Sequence, residues 1–154
     1  MGLLLHRRVD GATQVLLAHM GGPFWQRKDD HAWTIPKGLR EAGDDDLLAA
    51  AEREFTEEMG SPAPPGDSVD LGPCRAGAKT NHIFAREADF DASTITSNTF
   101  EMEWPPRSGR TAEFPEVDRA EWWSMDAARS KLVKGMLPIL DRLDEVLASP
   151  GPPG

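Results

Sequence analysis

The sequence contains no tyrosine and a single cysteine, Cys74, among its 154 residues. One cysteine excludes an intrachain disulfide framework and any metal site built from several thiolates. Basic residues are also scarce, with 17 lysines and arginines against 26 acids and a net charge of −9. This balance predicts no basic surface for a nucleic-acid backbone, so we expect no nucleic-acid polymer as a partner.

Long hydrophobic runs are absent as well, whereas a membrane-spanning helix needs about 20 apolar residues. The start, MGLLLHRRVDG, has three consecutive leucines, too few for the core of a signal peptide. We therefore expect no membrane partner and a cytoplasmic location. The length predicts a single domain over 1–148, and the composition of 149–154 predicts a flexible C-terminal tail.

One dense cluster of charged residues stands out between Gly38 and Ser61, which reads GLREAGDDDLLAAAEREFTEEMGS. Within it Glu54, Glu57 and Glu58 are spaced i, i+3 and i+4, so on a helix their carboxylates share one face and repel each other. A divalent cation such as Mg²⁺ or Mn²⁺ would relieve that repulsion, because hard cations prefer oxygen ligands. Taken alone, the same spacing is typical of a solvated acidic helix face.

The complete pattern resembles the Nudix box, the signature of the Nudix hydrolases. That signature is Gly, five residues, Glu, seven residues, then Arg-Glu-apolar-any-Glu-Glu-any-Gly-apolar. The matching residues are Gly38, Arg53, Glu54, Phe55, Glu57, Glu58 and Gly60. One extra residue lies before Arg53, so the early acid is Asp44 or Asp45, depending on the end from which the residues are counted. Ser61 occupies the last apolar position.

The resemblance implies a metal-dependent pyrophosphohydrolase that cleaves a phosphoanhydride in a nucleoside diphosphate linked to another group. It implies Mg²⁺ or Mn²⁺ as cofactor and a small nucleotide-type diphosphate as substrate. By motif position, Glu57 and Glu58 are the principal metal ligands, and Glu54 is a further ligand or binds the attacking water. Arg53 orients a glutamate carboxylate, and Gly38 offers its backbone carbonyl to the metal.

In this family the general base often comes from a glutamate outside the box. The candidates are Glu101, Glu103, Glu113 and Glu116. Of these, Glu103 and Glu116 are equally favoured, and Glu54 is the alternative within the box. Each loop glutamate could equally be an exposed acid without a catalytic role.

Three basic residues are candidates for substrate binding. Lys37 is either a phosphate contact or a solvated loop lysine, and Arg107 and Arg110 either clamp distal phosphates or keep the surface soluble. The lack of tyrosine argues against the dinucleoside polyphosphate hydrolases of the family, which commonly carry a Tyr after the box, although Trp or Phe can replace it. The exact substrate stays open at this point.

The pattern of hydrophobic residues predicts a mixed α/β fold. Strands are predicted at 2–9 and 14–19, around the turn signal Asp10-Gly11, and at 32–35, 71–76, 78–86, 98–104 and 119–124. A helix is predicted over 47–59, and a second helical stretch over 126–147 is interrupted by Pro138. Residues 105–117 are predicted to be a long loop. This order suits a mixed β-sheet between helices, the α/β/α sandwich that the Nudix resemblance also implies.

Two hypotheses other than an enzyme are compatible with the same residues. One is a catalytically weak or inactive nucleotide-binding sensor that has kept the Nudix fold. The other is a protein whose acidic helix is an interaction surface. The sequence leaves the oligomeric state open, a homodimer included.

Overall fold

The computed structural model describes residues 1–39 and 42–148. In chain order the strands are β1 (Gly2–Val9), β2 (Ala12–Met20), β3 (Trp33–Thr34), β4 (Ser68–Ala76), β5 (Lys79–Glu87), β6 (Thr99–Glu103), β7 (Thr111–Pro115) and β8 (Val117–Ser124), and the helices are α1 (Leu47–Met59), α2 (Met125–Lys131) and α3 (Leu137–Ala148). The α/β/α sandwich predicted from the sequence is confirmed. The single domain over 1–148 stays a prediction, and the predicted tail, 149–154, lies outside the described residues.

β1 lies inside a six-stranded sheet and pairs with strands from distant parts of the chain. It runs antiparallel to β2 and parallel to β5, where Gly2 faces Ile83. β2 also pairs with β8 and, through its second half, with the short β3. β4 pairs with β5 at the far side. β1 and β2 are thus internal strands, which explains why their leucines are buried on both faces.

Successive residues of β1 serve two separate cores, because side chains of a strand alternate between faces. Leu3 and Leu5 pack with Phe55 of α1, whereas Leu4 packs with Leu140 of α3. All five side chains are at most 1% exposed, and burial of such apolar surface is the main term that stabilises the sandwich. Among the described residues, no helix combines the length and apolar character needed to cross a membrane.

Helix α1 begins and ends where the sequence predicts. The Asp46 side chain accepts a hydrogen bond from the Ala49 N–H at 2.7 Å, as an N-cap residue does. Gly60 follows the last turn with φ of 80°, and its N–H donates to the Thr56 carbonyl at 2.8 Å. This left-handed conformation favours glycine. With the apolar face buried against the sheet, the glutamates are left on the opposite side.

The long loop predicted for 105–117 is wrong over its second half. Residues 111–115 form β7, which pairs antiparallel with β6 in a separate two-stranded sheet. Proline, glycine and arginine dominate 105–110 and favour a loop, but Ala112 and Phe114 alternate with polar residues at the spacing of a strand. β6 provides the partner that this short segment needs.

The second helical stretch is divided, but the break lies before Pro138. α2 ends at Lys131, and Pro138 is the second residue of α3, where a missing N–H costs no intrahelical hydrogen bond. Between the helices Gly135 packs so closely on β4 that a Cβ would lie 2.7 Å from the Cα of Ala76. The close packing of this connection therefore depends on glycine.

Candidate functional site

A cavity of about 350 Å³, here called the main cavity, opens where segments far apart in the sequence meet. Its lining residues are Lys37, Gly38, Leu39, Glu54, Glu57, Glu58, Lys79, Asn81, Asn98, Thr99 and Glu116. They come from the loop after β3, the exposed face of α1, the start of β5, the start of β6 and the junction of β7 and β8. The structure thus brings together the three box glutamates, the box glycine and two of the candidates from outside the box.

Backbone hydrogen bonds hold the loop after β3 against the start of β1. The Leu3 N–H donates to the Pro36 carbonyl at 3.2 Å, and the Gly38 N–H donates to the Met1 carbonyl at 2.9 Å. Gly38 passes so close to α1 that a Cβ would lie 2.0 Å from the carboxyl carbon of Glu54. Its carbonyl accepts a hydrogen bond from the Met1 amino group at 2.5 Å. A side chain at this position would displace the Glu54 carboxylate, so glycine lets the loop and that carboxylate lie side by side.

Arg53 connects the acids of α1 with the preceding loop. Its Nη1 donates to Glu54 at 3.0 Å and to Glu57 at 3.1 Å. Its Nε and Nη2 bind the two oxygens of Asp44 at 2.8 and 3.0 Å. Hydrogen bonding raises the pKa of Arg53 above its usual value, with the largest effect from Asp44 and smaller effects from the two glutamates. Asp44, one of the two candidates for the early acid, therefore forms a bidentate ion pair with Arg53.

Glu58 is the box glutamate whose ionisation is most affected by its surroundings. Burial raises the pKa of its carboxyl group to about 7, and the charges of Glu54 and Glu116 act in the same direction. Lys37 opposes the shift through its charge and through its backbone N–H, which donates to Glu58 Oε2 at 3.2 Å. Acids that titrate near neutral pH in a cavity are typical of functional sites.

The residue types around Gly38 fit a hard divalent cation. Three carboxylates and a backbone carbonyl are all oxygen donors, as Mg²⁺ and Mn²⁺ prefer, and the missing Cβ leaves room for the Glu54 carboxylate beside Gly38. However, Glu54 and Glu57 are hydrogen-bonded to Arg53. Within residues 1–39 and 42–148, no three acidic, histidine or cysteine side chains converge as a ligand group. Metal binding therefore requires carboxylates to turn from Arg53 toward the main cavity.

Backbone contacts on both sides place Glu116 at the main cavity. The Asn98 N–H donates to the Glu57 carbonyl at 3.0 Å and attaches the segment before β6 to α1. The Glu116 N–H donates to the Asn98 carbonyl at 2.8 Å, and its own carbonyl accepts from the Gly21 N–H at 3.0 Å. Glu116 is consequently fixed beside the box glutamates.

The structure does not bring Glu103, Arg107 and Arg110 to the main cavity. Glu103 is exposed at the end of β6, about 13 Å along the strand from Thr99. Arg107 and Arg110 are exposed in the connection between β6 and β7. The remaining candidate bases, Glu101 and Glu113, face each other across the same hairpin.

Four polar residues of the main cavity were not predicted from the sequence: Lys79, Asn81, Asn98 and Thr99. The spacing of Lys79 and Asn81 places both on one face of β5, which the sequence does show. Only the pairing of β5 with β1 brings that face to the box. The proximity of these two residues to the box depends on tertiary structure, so no local sequence pattern could have predicted it.

A second cavity of about 190 Å³, here called the aromatic slot, adjoins the main cavity. The two cavities share Lys37, Glu58 and Glu116. The other residues that line the slot are Met20, Gly21, Trp25, Thr34, Phe100 and Val117. Two aromatic side chains therefore line a space that opens onto the carboxylates.

Known proteins resemble this chain in domain type and in fold. The model of the NUDIX domain matches residues 4–143. The NUDIX domain of Shewanella oneidensis NrtR, solved with ADP ribose, is 17% identical with a TM-score of 0.62 over 96% of this chain and 86% of that chain. A C. elegans Ap4A hydrolase in a binary complex is 20% identical with a TM-score of 0.61 over 96% of each chain. The E. coli ORF135 protein is 19% identical with a TM-score of 0.56 over 99% of this chain and 96% of that chain. Comparison with curated proteins found no match.

Proposed function

This chain belongs to the NUDIX domain family, and we propose that it is a metal-dependent pyrophosphohydrolase acting on a small nucleotide-type diphosphate. The substrate would carry a phosphoanhydride between a nucleoside phosphate and a second group. The main support is that four glutamates, Glu54, Glu57, Glu58 and Glu116, line one cavity. So many carboxylates repel a phosphate anion, and they suit its hydrolysis only when cations are bound.

Mg²⁺ or Mn²⁺ is the proposed cofactor, since NUDIX domains generally use divalent metal ions. Glu57 and Glu58 would be the main ligands, with Glu54 and the Gly38 carbonyl as further donors. The bound cation would neutralise the pyrophosphate charge and act as a Lewis acid. Arg53 would orient Glu54 and Glu57 through its planar guanidinium, and Lys37 would bind a phosphate oxygen through its ammonium group.

Glu116 is the proposed general base. Its carboxylate would accept the proton of the attacking water, while its backbone hydrogen bonds keep it at the main cavity. Glu54 is the alternative base within the box. Glu103 as base, and Arg107 and Arg110 as phosphate clamps, would require the hairpin of β6 and β7 to fold over the cavity.

A nucleotide-type substrate is supported by the aromatic slot. Trp25 and Phe100 offer rings on which a nucleobase can stack, and base–aromatic stacking is worth about 1–3 kcal/mol per base. Because the slot shares Lys37 with the main cavity, a base in the slot leaves its phosphates beside the glutamates. Two proteins of similar fold are connected with nucleotides: the NrtR domain was solved with ADP ribose, and the C. elegans protein is an Ap4A hydrolase.

The proposed setting is cytoplasmic. The proposed partner is a small molecule rather than a nucleic-acid polymer or a membrane, and self-association into a homodimer is left to measurement.

A nucleotide-binding sensor without turnover is the second candidate function. One observation favours it: Arg53 already neutralises Glu54 and Glu57, at 3.0 and 3.1 Å. If that arrangement persisted with ligand, the acids would be unavailable to a metal. The sensor would bind nucleotides with no need of a divalent cation.

Measuring the hydrolysis products formed from a panel of substrates distinguishes the hydrolase from the sensor. The panel contains nucleoside triphosphates, nucleotide sugars, ADP-ribose and dinucleoside polyphosphates, each with Mg²⁺, Mn²⁺ or EDTA. We expect metal-dependent hydrolysis of at least one of them, and a loss of about 100-fold or more in Glu57→Gln. Glu101→Gln on the exposed hairpin is the matched control and should keep the parental rate. Binding without hydrolysis in every arm would support the sensor instead.

A further inference from the structure

Asn81 of β5 is a buried polar side chain whose amide nitrogen has no hydrogen-bond partner in the described part of the chain. The residue is 7% exposed, and its Nδ2 atom is buried and unpaired among the described residues. Its neighbours on this face of the sheet are apolar, since Cys74 lies directly opposite on β4 and Ile83 follows on β5. A buried donor without an acceptor destabilises a fold, so an apolar residue of similar size would suit the fold alone better.

The same side chain lines the main cavity. The two ends of a carboxamide have nearly the same shape, so a half-turn of the amide exchanges its oxygen and its nitrogen with little steric change. After that half-turn the NH₂ group takes the place of the oxygen and still carries two N–H donors. Asn81 can therefore offer a donor to a ligand in the cavity.

Lys79 adds a positive charge to this wall. It lies two residues before Asn81, on the same face of β5 and about 7 Å along the strand, and it is exposed at the main cavity. Neither residue lines the aromatic slot. The two donors therefore belong to the part of the site that the slot does not reach.

We propose that Lys79 and Asn81 bind the second phosphate beyond the bond that is cleaved, which is the terminal phosphate of a nucleoside triphosphate and is absent from a nucleotide sugar. The proposal rests on the proposed function for the position of that bond. With the base in the aromatic slot and the scissile anhydride beside Lys37, Glu58 and Glu116, the distal end of the substrate reaches β5. An ammonium and an amide both donate hydrogen bonds and match anionic oxygens. The pair should thus favour nucleoside triphosphates over nucleoside diphosphates linked to an uncharged sugar.

Two variants test the proposal by kinetics. Asn81→Leu and Lys79→Met should each raise KM for a nucleoside triphosphate about tenfold, with kcat within about threefold. KM for a nucleotide sugar should change less than twofold. Thr80→Val, on the opposite face of β5 and exposed, is the matched control and should match the parent with both substrates. Equal KM changes for both substrates, or none, would overturn the proposal.

Two measurements need no turnover. Asn81→Leu should keep or raise the melting temperature, because it removes an unpaired buried amide, and a clear fall would mean that the residue is structural. Inorganic tripolyphosphate should bind the parent in the presence of Ca²⁺ and bind either variant about tenfold more weakly. If it does so while no substrate is hydrolysed, the site on β5 stands and the hydrolase function fails. If hydrolysis is found and both variants bind the probe like the parent, the site on β5 fails alone.

Discussion

Arg53 donates hydrogen bonds to three carboxylates at once, so the shape of its head group should matter as much as its charge. Arg53→Lys keeps the charge and loses the planar fork. We expect kcat to fall by about tenfold or more, with metal dependence retained, in assays at saturating Mn²⁺. Arg129→Lys is the matched control, because Arg129 also binds two acids, Asp141 and Asp144 at 2.8 and 2.9 Å, away from the main cavity. Equal rates for Arg53→Lys and the parent would exclude an orienting role.

Glu116 and Glu103 make a matched pair for the general base. Glu116→Gln should lower kcat by about 10²–10⁴-fold, as expected for loss of a base, and should flatten the acidic limb of the pH–rate profile. Glu103→Gln should stay within about twofold, because Glu103 lies on the exposed hairpin. Both proteins should still bind Mn²⁺, measured by titration. If both keep the parental profile, the base is within the box, at Glu54.

The raised pKa of Glu58, about 7 against an ordinary 4.5, links folding stability to pH. The folded protein holds the Glu58 proton more tightly than the unfolded chain does. Protonated Glu58 therefore contributes its full stabilisation below pH 4.5, and this stabilisation is lost as the pH rises through 7. The full loss is about 3 kcal/mol. In urea unfolding with EDTA, Glu58→Gln should therefore gain stability relative to the parent between pH 4.5 and 8. Glu121→Gln, an exposed acid on β8, controls for net charge, and a parallel pH dependence in Glu58→Gln would contradict the prediction.

The shared position of the box glutamates at one cavity could be predicted from the sequence because their spacing is local. Glu54, Glu57 and Glu58 need only one helix to share a face. Which of Glu103 and Glu116 lies at the main cavity could not be predicted, because the position of Glu116 depends on backbone hydrogen bonds with Asn98 and Gly21 that no spacing encodes.

Among the elements, α1 was predicted to the residue because every signal for it is contained in its own sequence, from Asp46 to Gly60. β7 was missed because a five-residue strand depends on its partner. The position of the break before α3 was missed because it follows from packing of Gly135 on β4 rather than from Pro138.

The C-terminal end of α1 offers a test of how an element supports the site. Gly60 has φ of 80°, and a Cβ there would lie 2.5 Å from the Thr96 carbonyl oxygen. Gly60→Ala should lower the free energy of unfolding by about 2–4 kcal/mol, from strain and overpacking together. Gly77→Ala shares the left-handed conformation, with φ of 63° and open space around its Cβ, and should cost only about 1–2 kcal/mol. Equal losses in urea denaturation would show that the contact with Thr96 relaxes freely.

At the scale of the whole molecule, the net charge is −9, so the bound cation should raise the free energy of unfolding of the whole protein. A metal that binds only the folded state at 100 times its Kd adds about 2.7 kcal/mol, or about 5–10 °C in Tm for a chain of this size. We expect this rise with Mn²⁺ and its reversal by EDTA. NaCl at equal ionic strength controls for screening, and the Glu54→Gln/Glu57→Gln double variant should lose the shift. A rise that NaCl reproduces would argue against a specific site.

The position of the first hairpin inside the sheet has a consequence for synthesis of the chain. β1 and β2 emerge from the ribosome before their partners β5 and β8, which follow roughly 80 and 100 residues later. At a synthesis rate of 5–20 residues per second, both faces and both edges of the nascent leucine-rich hairpin stay exposed for about 5–20 s. Such non-local pairing also slows folding once synthesis is complete. The hairpin that anchors the site is thus the segment for which a nascent-chain chaperone would matter most.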